Sequence, residues 1–144
     1  MLPTVTTYEG SGMADYTVKR IDELDAALGG AFKRARAELG VESFGIQILD
    51  LPPNLEQFPE HDHAESGQEE VYLVLRGAAE IEVDGERIAL DPDNIVRVGP
   101  EARRKIYTGE EGARVLALGG TAGKVYEPPR NSQIGVEIPL PSSA

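Results

Sequence analysis

Beyond Gly40 the chain is cut into short β-prone runs, each closed by a turn signal, and this punctuation limits the possible folds more than any other feature. Residues 44–51 are closed by Pro52-Pro53, and residues 70–75 by Arg76-Gly77. Ile81 and Val83 then alternate with Glu80, Glu82 and Asp84, and Asp84-Gly85 is a strong hairpin signal. Residues 86–90 end at Asp91-Pro92, 94–98 at Gly99-Pro100, 103–108 at Gly109, and 113–119 at Gly120. About seven short strands at this spacing predict an all-β sandwich or barrel. No long helical period separates them, which argues against a parallel sheet of βαβ units. There is one set of strands and no internal repeat.

The flanks read differently. Residues 1–17, rich in Thr, Gly and Ser, suggest a loose arm that could cover a sheet edge. Leu24, Ala27 and Leu28 fall at helical spacing, with Asp22 as a cap and Gly29-Gly30 as a stop, so a short helix is expected over 22–28. Residues 31–39 fit two patterns: their alanines suit a helix, while Ala35, Ala37 and Leu39 alternate with Arg34, Arg36 and Glu38 as in a strand. The expected organisation is an arm and short helix over 1–40, a barrel over 41–125, and a tail over 126–144 that wraps the surface.

Composition removes several chemistries. No cysteine is present among 144 residues, so disulfides, thiolate catalysis and Cys-ligated metal centres are excluded. The net charge of −11, from 14 Lys+Arg against 25 Asp+Glu, argues against a nucleic-acid partner, whose affinity comes largely from cationic contacts. The basic clusters Lys33, Arg34, Arg36 and Arg97, Arg103, Arg104, Lys105 read as solvated faces. No run approaches the ~18 apolar residues of a spanning helix, and no secretory signal is visible, so no membrane partner and a cytoplasmic location are expected.

The two histidines of the chain sit as His61-Asp62-His63. In an extended segment residues two apart share a face, so both imidazoles can meet one ion. Glu70 opens the next strand across a turn containing Gly67, and its carboxylate can reach the same point from roughly one strand spacing, ~4.8 Å. Two imidazoles and one carboxylate with open positions suit iron, manganese, nickel or zinc. Parity places Tyr72 and Val74 on the Glu70 face, and Glu69 on the other. Tyr72 reads either as a core aromatic with a satisfied hydroxyl or as a group that orients a ligand or gives up a proton.

These residues resemble the cupin signature, in which His-x-His is followed by three or four residues, Glu, six residues and Gly. Here His61-x-His63 is present, and Glu70 is followed by six residues and Gly77. Six residues lie between His63 and Glu70, and Leu55 stands where the signature opens with Gly. The second cupin motif is matched by Gly85, by Asp91-Pro92-Asp93-Asn94 and by the approach from Val98 to Arg103. Its His position falls on Arg104 and its Asn position on Thr108, so the fourth ligand is missing. The resemblance spans roughly residues 45–120 and implies a double-stranded β-helix, or jelly-roll barrel, preceded by a short helical segment. It also implies dimer formation, and therefore a homodimer here.

Strand parity directs Arg104, Ile106 and Thr108 to one face; a register slip of one residue would turn Arg103 inward instead. An inward Arg104 either pairs with Glu70 or holds an anionic substrate beside the metal. Three functions follow. One is a metal-dependent enzyme, of dioxygenase or isomerase type, acting on a small organic acid with Tyr72 and Arg104 assisting. Another is a metal-free module or sensor that binds a small anion. The last is an inactive barrel in which Arg104 and Glu70 form a buried ion pair.

Overall fold

The computed structural model describes residues 15–138. Among these, seven strands form an antiparallel sheet in the order β1-β2-β3-β7-β4-β5, with β6 paired to β4. The strands are β1 (Ala26–Ala27), β2 (Phe32–Lys33), β3 (Gly45–Leu51), β4 (Gln68–Val83), β5 (Glu86–Leu90), β6 (Ile95–Val98) and β7 (Arg104–Thr121). The sheet curls on itself because β4 meets β6 along its first half and β5 along its second, while β7 accompanies it throughout. The all-β barrel expected from the punctuation is the observed architecture. No helix among the described residues is long and apolar enough to cross a membrane.

Two turn signals proved to be bends. Arg76-Gly77 and Gly109 were read as strand ends, yet β4 and β7 run through them as strands of 16 and 18 residues. The ladder shifts register between Val74 and Arg76 and again between Gly77 and Ala79. Gly77 (φ 78°) pairs with Ala113, the neighbour of Gly112 (φ 66°), and a Cβ on Gly77 would lie 2.3 Å from the Gly112 carbonyl oxygen. Glycine at both positions lets the paired strands bulge and turn without breaking. The Asp84-Gly85 hairpin forms where expected, with φ of 47° and 86° at its two central residues.

The inner face collects Leu49, Leu51, Tyr72, Val74, Ile81, Val98, Ile106, Val115 and their neighbours into the main core. Ile106 and Arg104 are both fully buried, so the register that turns Arg104 inward is the one adopted. On the outer face of β3 and β7, Ile48 and Leu116 are covered by Leu24 and Ala35 from the N-terminal segment.

That segment differs from expectation. Residues 22–28 form no continuous helix: a 3-10 turn (Ile21–Glu23) leads into β1, and a second (Leu28–Gly30) joins β1 to β2. Pairing of Ala26–Ala27 with Phe32–Lys33, and of β2 with β3, satisfies these backbone groups better than one isolated helical turn would. The ambiguous stretch 31–39 holds both patterns in succession, β2 and then the helix α1 (Ala35–Leu39), which ends on a left-handed Gly40. Most of the expected arm, residues 1–14, lies outside the described residues, as do residues 139–144 of the tail.

The basic clusters are not simple solvated faces. Lys33, Arg34 and Arg104 are buried, because fixed acceptors meet each of them. Lys33 pairs with Asp50 at 3.4 Å. Arg34 donates to Asp25 Oδ2 at 2.6 Å, to the Asn131 carbonyl at 2.9 Å and to the Val136 carbonyl. One side chain thus fastens the C-terminal tail to the N-terminal segment. Arg114 grips Asp50 through both carboxylate oxygens and reaches Asp22.

Candidate metal centre

His61 and His63 reach the site from an extended loop rather than a regular strand. His61 is held by a single bridge to Arg104: its N–H donates to the Arg104 carbonyl at 3.0 Å, and the Arg104 N–H donates to the His61 carbonyl at 2.8 Å. Two residues on, the His63 N–H donates to the Pro100 carbonyl at 2.8 Å. This backbone anchoring keeps the two imidazoles on one side, edge to face at 5.0 Å between ring centres. The added residues between His63 and Glu70 close a turn in which the Gly67 N–H returns to the His63 carbonyl. Thr108, at the usual Asn position, ties the loop before His61: its Oγ1 donates to the Pro52 carbonyl and accepts from the Leu55 N–H.

The three expected ligands converge. One donor atom each from His61, His63 and Glu70 lie within 4.8 Å of one another. His63 Nε2 is 2.9 Å from Glu70 Oε1, and His61 Nε2 is 3.9 Å from the same oxygen. His61 Nδ1 lies 2.9 Å from the Pro59 carbonyl. A carbonyl accepts only, so Nδ1 carries the hydrogen and, in the neutral ring, the Nε2 lone pair is turned toward the cluster. Donors bound at ~2.0–2.2 Å to one ion sit about 3 Å apart when adjacent, and these spacings and donor types fit a divalent ion.

The surroundings of Glu70 are unusual. Its Oε1 accepts from the Tyr72 hydroxyl at 2.6 Å. Arg104, wholly enclosed, places Nε 3.6 Å from that oxygen, an ion-pair distance too long for a hydrogen bond, and this Nε has no hydrogen-bond partner. The rest of its guanidinium donates to the carbonyls of Ala102 (3.0 Å), Gly99 (3.4 Å) and His61 (3.5 Å). Burial pushes the Glu70 carboxyl up, but the neighbouring His61 and His63 imidazoles and the Tyr72 hydroxyl together outweigh it and hold the group well below the usual carboxylate range. The facing carboxylate raises His61 above its ordinary value despite partial burial. Burial, reinforced by the Glu70 charge, pushes the Tyr72 phenol well above the ordinary tyrosine range.

Two residues passed over in the sequence bear on the barrel interior. Tyr126, from the tail, lies against Gly45 and is near enough for the Glu70 charge to act on it. Gln47 points into the barrel from β3, and its buried Oε1 has no hydrogen-bond partner. A polar residue on the inward parity of an otherwise apolar strand was the signal available for Gln47. Nothing in the sequence signals Tyr126, which follows the last strand. Glu69 faces outward and pairs with Arg97 at 2.8 Å.

Residues 47–119 match the family described as Cupin domain, and the chain belongs to the cupin superfamily. A solved cupin protein from Bacteroides fragilis superposes with a TM-score of 0.62 at 23% identity, covering 85% of this chain and 98% of that one. A sugar phosphate isomerase from a cupin superfamily, from Silicibacter pomeroyi, gives a TM-score of 0.55 at 20% identity over 63% of this chain and 59% of its own. The DMSP lyase DddQ from Ruegeria pomeroyi gives 0.50 at 23% identity, with 59% of this chain spanning 42% of that protein. At these identities the likeness is one of fold. No curated protein matches the chain.

Proposed function

We propose that this cupin holds one divalent first-row metal ion on His61 Nε2, His63 Nε2 and the Glu70 carboxylate, and acts as an enzyme on a small organic acid. The observation that carries the reading is the convergence of the three donors within 4.8 Å. Bound there, the ion would polarise a carbonyl or activate dioxygen, the chemistry of dioxygenases and isomerases. Pro59 fixes the His61 tautomer and so aims a nitrogen lone pair at the site. Tyr72 and Arg104 act on Glu70 as positioning residues. The Tyr72 hydroxyl orients the carboxylate, and its raised pKa keeps the proton on the phenol. Arg104, with most of its donors spent on carbonyls, stands 3.6 Å from the carboxylate as a fixed buried counter-charge. The reading carries with it a homodimer, which light scattering on the purified protein measures directly.

The buried Arg104 guanidinium, whose Nε makes no hydrogen bond, favours a second reading, a metal-free barrel that binds a small anion. Elemental analysis separates the two. Protein purified without chelator is compared with the double variant His61→Ala/His63→Ala. About one equivalent of iron, manganese, nickel or zinc in the wild type, lost in the variant, is the expected result. No metal in either, even after loading, would sink the metal reading in favour of the anion site.

A further inference from the structure

We propose a second ligand site on the outer face of the barrel: a groove beside the β4 bulge that takes a small monocarboxylate with an apolar body, its carboxylate held by Arg76 and Arg114. The site is separate from the metal cluster and does not depend on the function given to it.

The bulge makes the site. Tyr72 and Val74 of β4 belong to the core, and simple alternation would send Arg76 there too. The register shift between Val74 and Arg76 reverses that parity and sets Arg76 opposite Arg114, whose neighbours Ala113 and Val115 face inward. Re-aiming a side chain in this way is a common use of a bulge. Arg114 in turn lies opposite Asp50, so one row across three strands reads Asp50, Arg114, Arg76. Like charges directly opposite each other repel, and the nearby acids neutralise this pair unequally. Arg114 spends Nε and Nη2 on Asp50 and Asp22, while its Nη1 makes no hydrogen bond. Lys33 also goes to Asp50. Arg76 is exposed and makes no hydrogen bond or ion pair among the described residues. Its charge is felt by Asp22, which is already bound to Arg114. That Asp22 side chain is 78% exposed, so Arg114 is reached by a carboxylate from the solvent side.

The two arginines border a groove of about 640 Å³, whose other walls are the turn Leu28–Gly30 and the end of β3 at Asp50. Leu28 is a leucine at φ 57°, a left-handed conformation uncommon outside Gly, Asn and Asp. Its side chain is also 37% exposed, so core packing does not account for the strain. Together with Pro52 it gives an apolar ligand body a surface to lie on. Glu111 lines the groove too, exposed and without an ion partner, and its charge opposes a second anionic group on the ligand. One carboxylate is thus favoured over two, and the planar guanidinium fork matches its pair of oxygens. Six residues of β4 separate Arg76 from Glu70, roughly 20 Å along the strand. Glu70 also faces inward, so the groove is not a branch of the metal cluster.

Calorimetric titration of hexanoate tests this, with hexanol, adipate and inorganic phosphate as comparisons. The proteins are the wild type, Arg76→Gln and the double variant His61→Ala/His63→Ala. Hexanoate is expected to bind the wild type and the double variant equally, with the three comparison ligands about tenfold weaker or more. Arg76→Gln should weaken hexanoate about tenfold while keeping the wild-type melting temperature, since the side chain is exposed. No binding of hexanoate by the wild type, or equal binding by Arg76→Gln, would overturn the site. Binding lost in the histidine variant instead would place the acid at the metal cluster and overturn it as well. Hexanol, adipate or phosphate bound as tightly as hexanoate would overturn the ligand class.

Discussion

Arg104 occupies the position at which the second cupin motif carries His, and its environment explains how a cation is tolerated there. Three carbonyls take its terminal nitrogens, and the Glu70 carboxylate lies 3.6 Å from Nε. Replacement by Met would strand those acceptors, and breaking a buried charge pair typically costs about 3–5 kcal/mol. Urea unfolding of metal-free Arg104→Met should show a loss of that order. The same change removes a positive charge beside the proposed ion, so the variant should bind nickel more tightly than the wild type in a competition titration. Weaker binding would mean that Arg104 is needed to hold Glu70 in place. At this scale parity made much of the site legible: His61 with His63, Glu70 with Tyr72, and Arg104 with Ile106 could each be assigned a face from sequence. The Pro59 carbonyl on His61 and the Tyr126 contact could not, because both depend on how loops fold back, which has no period to read.

The long strands β4 and β7 show what local punctuation conceals. A glycine after an arginine ends a strand in many contexts, but here Gly77 pairs with Ala113 and packs on the Gly112 carbonyl, where a side chain would clash, as the ladder shifts register. Only the pairing partner, distant in sequence, distinguishes a stop from a bulge. The consequence is testable within one strand pair. Gly77→Ala should destabilise the protein by more than ~2 kcal/mol, since it adds a clash with backbone to an unfavourable positive φ. Gly109→Ala has open space and should stay within about 0.5 kcal/mol of wild type. Equal effects in denaturant titrations would refute the role given to the bend. The N-terminal segment failed to follow its helical spacing for a related reason. Leu24 and Ala27 are both buried, as that spacing suggested, but β-pairing rather than a helix delivers them to the sheet.

The whole molecule is strongly acidic, and its buried cations are arranged to use that excess. Hydrogen bonding to Arg114 lowers Asp50, and hydrogen bonding to Arg34 lowers Asp25. A carboxylate depressed in the folded state contributes stability that is fully present above its unfolded value, about pH 4 for Asp. That contribution is lost as the pH falls through the folded value. Melting temperature should therefore fall below about pH 4, and Asp50→Asn should flatten part of that fall. An acid limb unchanged in the variant would place the linkage elsewhere.

The clasp made by Arg34 has a further consequence for how this chain is handled. Because the same guanidinium grips Asp25 on one side and the carbonyls of Asn131 and Val136 on the other, the two ends of the described chain share one buckle. A tag or tether pulling on the tail would tug at the N-terminal segment that roofs the outer face of β3, and a protease given access to one end would soon find the other. Tyr126, whose hydroxyl covers Gly45, belongs to that same tail.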